Sequence, residues 1–449
     1  MSIKPNYEKM DGCVLYAVDI MNEYQQCVDE GLDIETYKEL FEVVSKLPMN
    51  EYTEEIGDTI FKIVSNAPMK ADYEYNEPSE LEEIKKLRKP YPINGTINRD
   101  ALKNKVHGAW LGRICGCMLG KTVEGIRSEE FIPFLKESNN YPLSRYVYRS
   151  DLPEDVDDRY KFYFNGMSFI RDVDGMTIDD DTNYMVLDQV IRENYGKDFT
   201  PYDVSLAWMK YQPKTAYYTA EQTAYSNFLK GFTPPASAIY KNHYREWIGA
   251  QIRGDYWGYI NPNDPELAAE MAWRDASISH VKNGIYGEMF VAAMLANAAV
   301  TSNLEDIILS GLAQIPSSSR LYKSVMDIMD KFKSGVPEEE AFAYIHSCYD
   351  EHTGYGWCHT ISNAMIVVAS LLYGGGDYAK SICRAVQTCF DTDCNGATVG
   401  SILGMANGVD SIPEYWTKPI NNILHTSIFG VGTVKITDMV DKTMSHIEF

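Results

Sequence analysis

No stretch of this 449-residue chain is apolar for long enough to cross a bilayer. Runs such as Met289 to Val300 fall far short of the roughly 20 residues required. Cations are scarce as well: 41 Lys and Arg stand against 64 Asp and Glu, a formal net charge of −23. A phosphate backbone is gripped by clustered Lys and Arg, so nucleic acid is a disfavoured partner. The nine cysteines are an odd, scattered set with no metal-type CxxC pair. That pattern fits a reducing cytoplasm better than a disulfide scaffold. The opening Met1-Ser2-Ile3-Lys4 leads into no apolar h-region, so no secretory signal is expected. Alternating-period segments are few, which leaves little room for sheet.

Helical periodicity is what remains. In the leading segment Leu40, Phe41, Val44 and Leu47 form one stripe and Ile56, Ile60, Ile63 and Val64 another, separated by Pro48 and Asn50. Residues 71 to 92 are charged and close on Pro90 and Pro92, which predicts a linker with a short helix. The polar, aromatic segment 141 to 175 predicts an inserted loop. Beyond it, Thr200-Pro201-Tyr202-Asp203 opens a capped helix. Further helices are expected at Pro265 to Trp273, Gly284 to Val300, Asn303 to Ala313, Leu321 to Lys333, Pro337 to Asp350, Thr360 to Tyr373 and Asp377 to Cys389. The fold class is therefore all-α, with an extension and linker at 1 to 95 and the main domain at 96 to 449.

Two glycine ladders interrupt the apolar segments: Gly108, Gly112, Gly116 and Gly120, then Gly396, Gly400, Gly404 and Gly408. A mid-helix glycine costs about 1 kcal/mol against alanine. Eight of them are tolerable only if bare ridges let helices approach closely. Arg113 breaks the first run, and both are too short for a membrane dimer motif.

Chemistry concentrates in two acidic knots, Asp179-Asp180-Asp181-Thr182-Asn183 and Asp391-Thr392-Asp393-Cys394-Asn395-Gly396, about two hundred residues apart. If they meet, carboxylate pairs about 4 Å apart repel by roughly 4 kcal/mol at an effective dielectric near 20. Something positive must sit among them, and a hard divalent ion suits oxygen ligands best. The second knot begins like an EF-hand loop but places Ile402 where that loop needs a bidentate Glu.

Gly108-Ala109-Trp110-Leu111-Gly112 with Gly116-Cys117-Met118-Leu119-Gly120-Lys121-Thr122-Val123-Glu124-Gly125, then Asp180-Asp181-Thr182, then Asp391-Thr392-Asp393-Cys394, resemble the ADP-ribosylglycohydrolases in order and spacing. The resemblance runs from about His107 onward and leaves the first hundred residues outside. It implies an orthogonal helical bundle holding two Mg²⁺ ions, with Mn²⁺ as the substitute, and hydrolysis at the anomeric carbon of ADP-ribose. It implies metal ligation by Asp180, Asp181, Asp391 and Asp393, and then by Asp179 and Cys394, which stand where the family has Thr or Ser and Thr. Cys117 replaces the usual Asp of the first motif.

By the same resemblance Glu124 closes over the ribose and handles a proton, with Asp181 beside it as the second catalytic carboxylate. His280, Asn283 and Tyr286, in the loop entering the apolar helix from Gly284, are expected to touch substrate. Trp257, Tyr286 and Trp357 are candidate stacking platforms. Adjacent Cys358 and His359 make a poor nucleophile and base. The expected partner is an ADP-ribosylated protein or a small ribosyl substrate. A nucleosidase or other glycosidase in the same shell, and a catalytically lapsed structural protein, are the rivals. The leading helices are expected to serve as a cap or an oligomer contact.

Overall fold

The structure is a computed structural model that describes residues 5–10, 12–93 and 95–448. The opening tetrapeptide read above for a leader lies outside them. The chain is all-α: helices carry the fold, and two three-residue strands are the whole of the sheet among the described residues. No described helix is long and apolar enough to cross a membrane.

At the centre the Arg99–Lys121 helix lies antiparallel to the Thr392–Asn407 helix. Three rungs of the two ladders face each other, while Gly120 meets Thr392 and Gly408 meets Asn104. A methyl group on Gly116 would sit 2.0 Å from the Gly396 carbonyl oxygen, one on Gly112 2.2 Å from that of Gly400, and one on Gly404 2.0 Å from that of Gly108. Backbone therefore lies directly on backbone, as the ladders predict. Asn98 starts the first helix by accepting from the Asp100 and Ala101 amides. Thr392 Oγ1 donates to the Gly120 carbonyl at 2.9 Å. The end of one helix and the start of the other are thereby fixed at one place.

Helices expected from periodicity stand at Pro201–Tyr211, Pro265–Ala276, Asn283–Ala298, Leu304–Leu312, Arg320–Lys333, Glu338–Cys348, Thr360–Gly374 and Tyr378–Gln387. Thr200 and Asp203 close a reciprocal capping box with Pro201 at the first position. Segment 141 to 175 carries only single turns, yet Tyr146, Phe164 and Phe169 are buried beneath it. A short hairpin pairs Ile423–His425 with Thr433–Lys435. Three residues per strand are too few to register as alternation, so the sequence reading missed it. Its outer edge exchanges backbone bonds with Met176, which carries the chain into the first acidic knot.

The leading helices Ile20–Asp29, Lys38–Val44 and Glu51–Ser65 enclose a small core of Ile20, Cys27, Phe41, Val44, Ile60 and Val64. They are clamped to the main body by buried charge. Arg245 holds Glu23 at 2.9 Å and Glu30 at 2.7 Å, and Lys282 holds Glu30 at 2.9 Å. Arg320 bridges Glu77 and Glu246, each at 2.8 Å. The stretch expected to be a linker is thus part of the clamp: Glu77 is buried and the backbone at Arg88 pairs with that at Pro316.

Two outcomes follow from this packing. Gly108→Ala and Gly120→Ala both press a methyl group into backbone and cost about 1–3 kcal/mol or more in urea unfolding. Only Gly120→Ala meets Thr392 and Asp393, so it alone raises amide hydrogen exchange across 389 to 395. Arg245→Met strands two buried carboxylates and lowers stability by about 3–5 kcal/mol. Burial pushes Glu30 and Glu246 up, but Arg245 and Lys282 on the first and Arg320 on the second outweigh it and hold both below the usual 4.5. The clamp's contribution is present above that pH and fades as pH falls below it, which an unfolding series against pH measures.

Candidate functional site

The two acidic knots meet. A cleft of about 460 Å³ is lined by Lys121, Glu124, Asp179, Asp180, Asp391, Asp393 and Cys394 on its charged floor, with Tyr218, Ile248 and Trp357 among its walls. That volume suits a small-molecule ligand.

Asp179 caps the Asp180–Tyr195 helix, accepting the Asp181 amide through Oδ1 at 2.9 Å. Acidic groups at a helix start are favoured by the exposed amides. Arg113, the charge that breaks the first glycine ladder, is fully buried behind this knot. Its Nε donates to the Asp181 carbonyl at 2.9 Å, and its Nη2 donates to Asp181 Oδ1 at 2.8 Å and to the Ile252 carbonyl at 2.6 Å. Its Nη1 faces Asp255 at 3.0 Å. Asp181 Oδ2 is left buried without a hydrogen-bond partner. Asp181 does not line the cleft; it lies buried behind the floor.

The second knot arrives on a strained turn. Cys389 and Phe390 have φ of 65° and 59°, in the left-handed region that side chains avoid. Each costs of order 1–3 kcal/mol and persists where surroundings enforce it. Here Trp357 Nε1 donates to the Phe390 carbonyl, and Asn363 Oδ1 accepts from the Asp391 amide at 3.4 Å and from Asn395 Nδ2 at 2.7 Å. The result aims Asp391 and Asp393 at the first knot. Thr219, at the other wall, is likewise left-handed, with φ of 38°.

The charges are frustrated. Burial first, and then the neighbouring acids, push the carboxyls of Asp180, Asp391 and Asp393 above the usual carboxylate range. For Glu124 the Asp393 charge acts first and burial second, and both raise it. Burial and nearby acids also hold the Cys117, Cys358 and Cys394 thiols protonated. At the floor two groups place ligand atoms within 4.8 Å of one another: Asp181, Asp393 and Cys394, and Cys117, Asp179 and Asp181. The first has the free Asp181 Oδ2 to offer and fits a divalent ion. The second does not fit as well, because Lys121 Nζ already sits 2.5 Å from Asp179 Oδ2.

Trp357 forms a wall of the cleft, with the Arg127 guanidinium 5.5 Å from its ring centre. The other expected substrate contacts lie elsewhere. His280 is buried with Nδ1 against Ser279 Oγ at 2.8 Å, and burial followed by the Arg253 charge keeps it neutral. Asn283 Nδ2 donates to Glu77 and Glu246, both at 2.9 Å, and its Oδ1 accepts the Leu321 amide at 3.0 Å. The Tyr286 hydroxyl donates to the Pro78 carbonyl. Asn283 and Tyr286 thus hold residues 77 and 78 of the leading segment, and none of the three lines the cleft. Trp257 is buried and stacked on Phe199 with ring centres 4.6 Å apart.

Sequence reasoning passed over Lys121, Arg113 and Glu221. Two of them carried a signal, being lone cations inside a glycine-lined helix. Glu221 lines the cleft and carried none; it is joined to Arg253 at 3.0 Å, and burial raises its carboxyl to about 7. Replacing Arg113 tests the anchoring of the first knot. Arg113→Met lowers stability by about 3–5 kcal/mol in urea unfolding, and Arg113→Lys restores little, because the acceptors need the guanidinium fork.

Residues 98–446 match a family model described as ADP-ribosylglycohydrolase. One similar solved structure is described as an "ADP-ribosylglycohydrolase-related protein complex", with a TM-score of 0.48 and 16% sequence identity over 77% of this chain and 98% of that one. No curated protein matches.

Proposed function

Because this chain belongs to the ADP-ribosylglycohydrolase family, whose members hydrolyse glycosidic bonds, we propose that its acidic cleft cuts the bond at the anomeric carbon of an ADP-ribosyl group. The observation that carries this reading is the convergence of the two acidic knots with Glu124 at one cleft floor. The family is metal-dependent, and the buried carboxylates and thiols here are of the kind that hold a divalent ion. Asp181, Asp393 and Cys394 would hold it, with Asp391 and Asp180 beside them. The resemblance implies Mg²⁺ or Mn²⁺. When bound, such an ion supplies Lewis-acid polarisation of ribose hydroxyls and of water.

The chain's own groups supply the rest. Glu124, whose carboxyl the Asp393 charge and burial raise, donates a proton to the departing atom as the bond to the anomeric carbon breaks. The electron pair leaves with that atom, and a water oxygen forms the new bond and gives its proton to a floor carboxylate. The cationic, oxocarbenium-like sugar that develops is stabilised by the anionic floor. Trp357 and Tyr218 flank the opening and exclude water from one face of the substrate.

The test is the pair Asp391→Ala and Asp393→Ala, assayed on ADP-ribosyl peptides, NAD and free nucleosides. Rates fall by roughly 10²–10³-fold, the scale for removing a group that stabilises developing charge. Unchanged hydrolysis of every substrate would overturn the assignment, and cleavage confined to nucleosides would move the protein to the nucleosidase reading.

A further inference from the structure

The charge balance of the floor points to a different metal content from the pair of ions the resemblance implies. Lys121 ends the Arg99–Lys121 helix, and its Nζ lies 2.5 Å from Asp179 Oδ2. Asp179 is 1% exposed at its side chain, and its other oxygen accepts the Asp181 amide. Both oxygens are therefore engaged by the protein itself. Asp179 stands where the resembled family has a hydroxyl, so this chain places an acid there, with Lys121 against it. An ammonium held on a carboxylate carries one positive charge at a fixed place. A second dication beside it would face Coulomb repulsion of several kcal/mol at short range.

The remaining ligand group differs in kind. Asp181 Oδ2 is buried and unpartnered, and with Asp393 and Cys394 it makes a set of two carboxylates and one sulfur. Three protein ligands with an open position form the common catalytic arrangement for Zn²⁺, and a thiolate selects soft ions over Mg²⁺. We infer that this cleft takes one thiophilic divalent ion of the Zn²⁺ class at Asp181, Asp393 and Cys394, and that the Lys121 ammonium on Asp179 occupies the place of a second ion. Ion binding displaces the Cys394 proton to solvent, so uptake is proton-coupled.

This rests on the reading of the cleft as a divalent-ion site but not on which bond is cut. The experiment reads metal, not hydrolysis. The full chain, stripped with chelator, is titrated with Zn²⁺ and with Co²⁺, and bound metal is counted by mass spectrometry alongside absorption. One equivalent of either ion binds, and the Co²⁺ form shows a sulfur-to-metal charge-transfer band that Cys394→Ser removes. Lys121→Met then gains a second equivalent, and Lys121→Arg stays at one. If Lys121→Met does not fold, the double variant Lys121→Met with Asp179→Ser removes the orphaned acid as well and takes two. Two equivalents in the parent chain, none, a band that survives Cys394→Ser, or a neutralised position 121 that still takes one would each overturn the inference. Failure of ADP-ribosyl cleavage with this stoichiometry intact would instead count against the proposed reaction alone.

Discussion

Everything at the site depends on two helices touching backbone to backbone. Side chains on either ladder would hold the Arg99–Lys121 and Thr392–Asn407 helices at an ordinary separation of 8–10 Å between axes. Bare glycines let carbonyls of one helix sit where the other's side chains would be. The closeness is what brings Lys121 and Glu124, at the end of the first helix, onto the same floor as Asp391 and Asp393, at the start of the second. The entropic cost of eight glycines is offset by the dispersion and packing gained along the seam, and the position of the acids is its product.

Around that seam the molecule handles buried charge in two ways. Behind the floor, Arg113 is gripped by Asp181, Asp255 and the Asp181 and Ile252 carbonyls, an arrangement that fixes geometry. On the floor itself acids outnumber cations, and burial and mutual repulsion push their carboxyls above the usual range. A closed network rigidifies, whereas an open one stores affinity for an incoming cation. The strained Cys389–Phe390 turn belongs to the second kind, since backbone cost is accepted there to aim Asp391.

Much of this was legible in the amino acids. Long 3.6-period stripes found the helices, glycines at every fourth position found the seam, and paired aspartates before apolar runs found the floor. What escaped was set by partners distant along the chain. His280, Asn283 and Tyr286 read as a ligand loop because nothing local shows that residues 77 and 78 lie over them. The hairpin at Ile423–His425 is too short to carry a period. Arg113 was visible as an interruption and Lys121 only as part of the first motif, and only the fold reveals which acids they answer.

The clamp on the leading helices also sets an order of events during synthesis. Glu23 and Glu30 are made more than two hundred residues before Arg245, and Glu77 is made 243 residues before Arg320. Until those cations emerge from the ribosome the leading helices have only their own small core to hold them. Contacts of such high sequence separation close late, so the leading helices wait on cations made long after them.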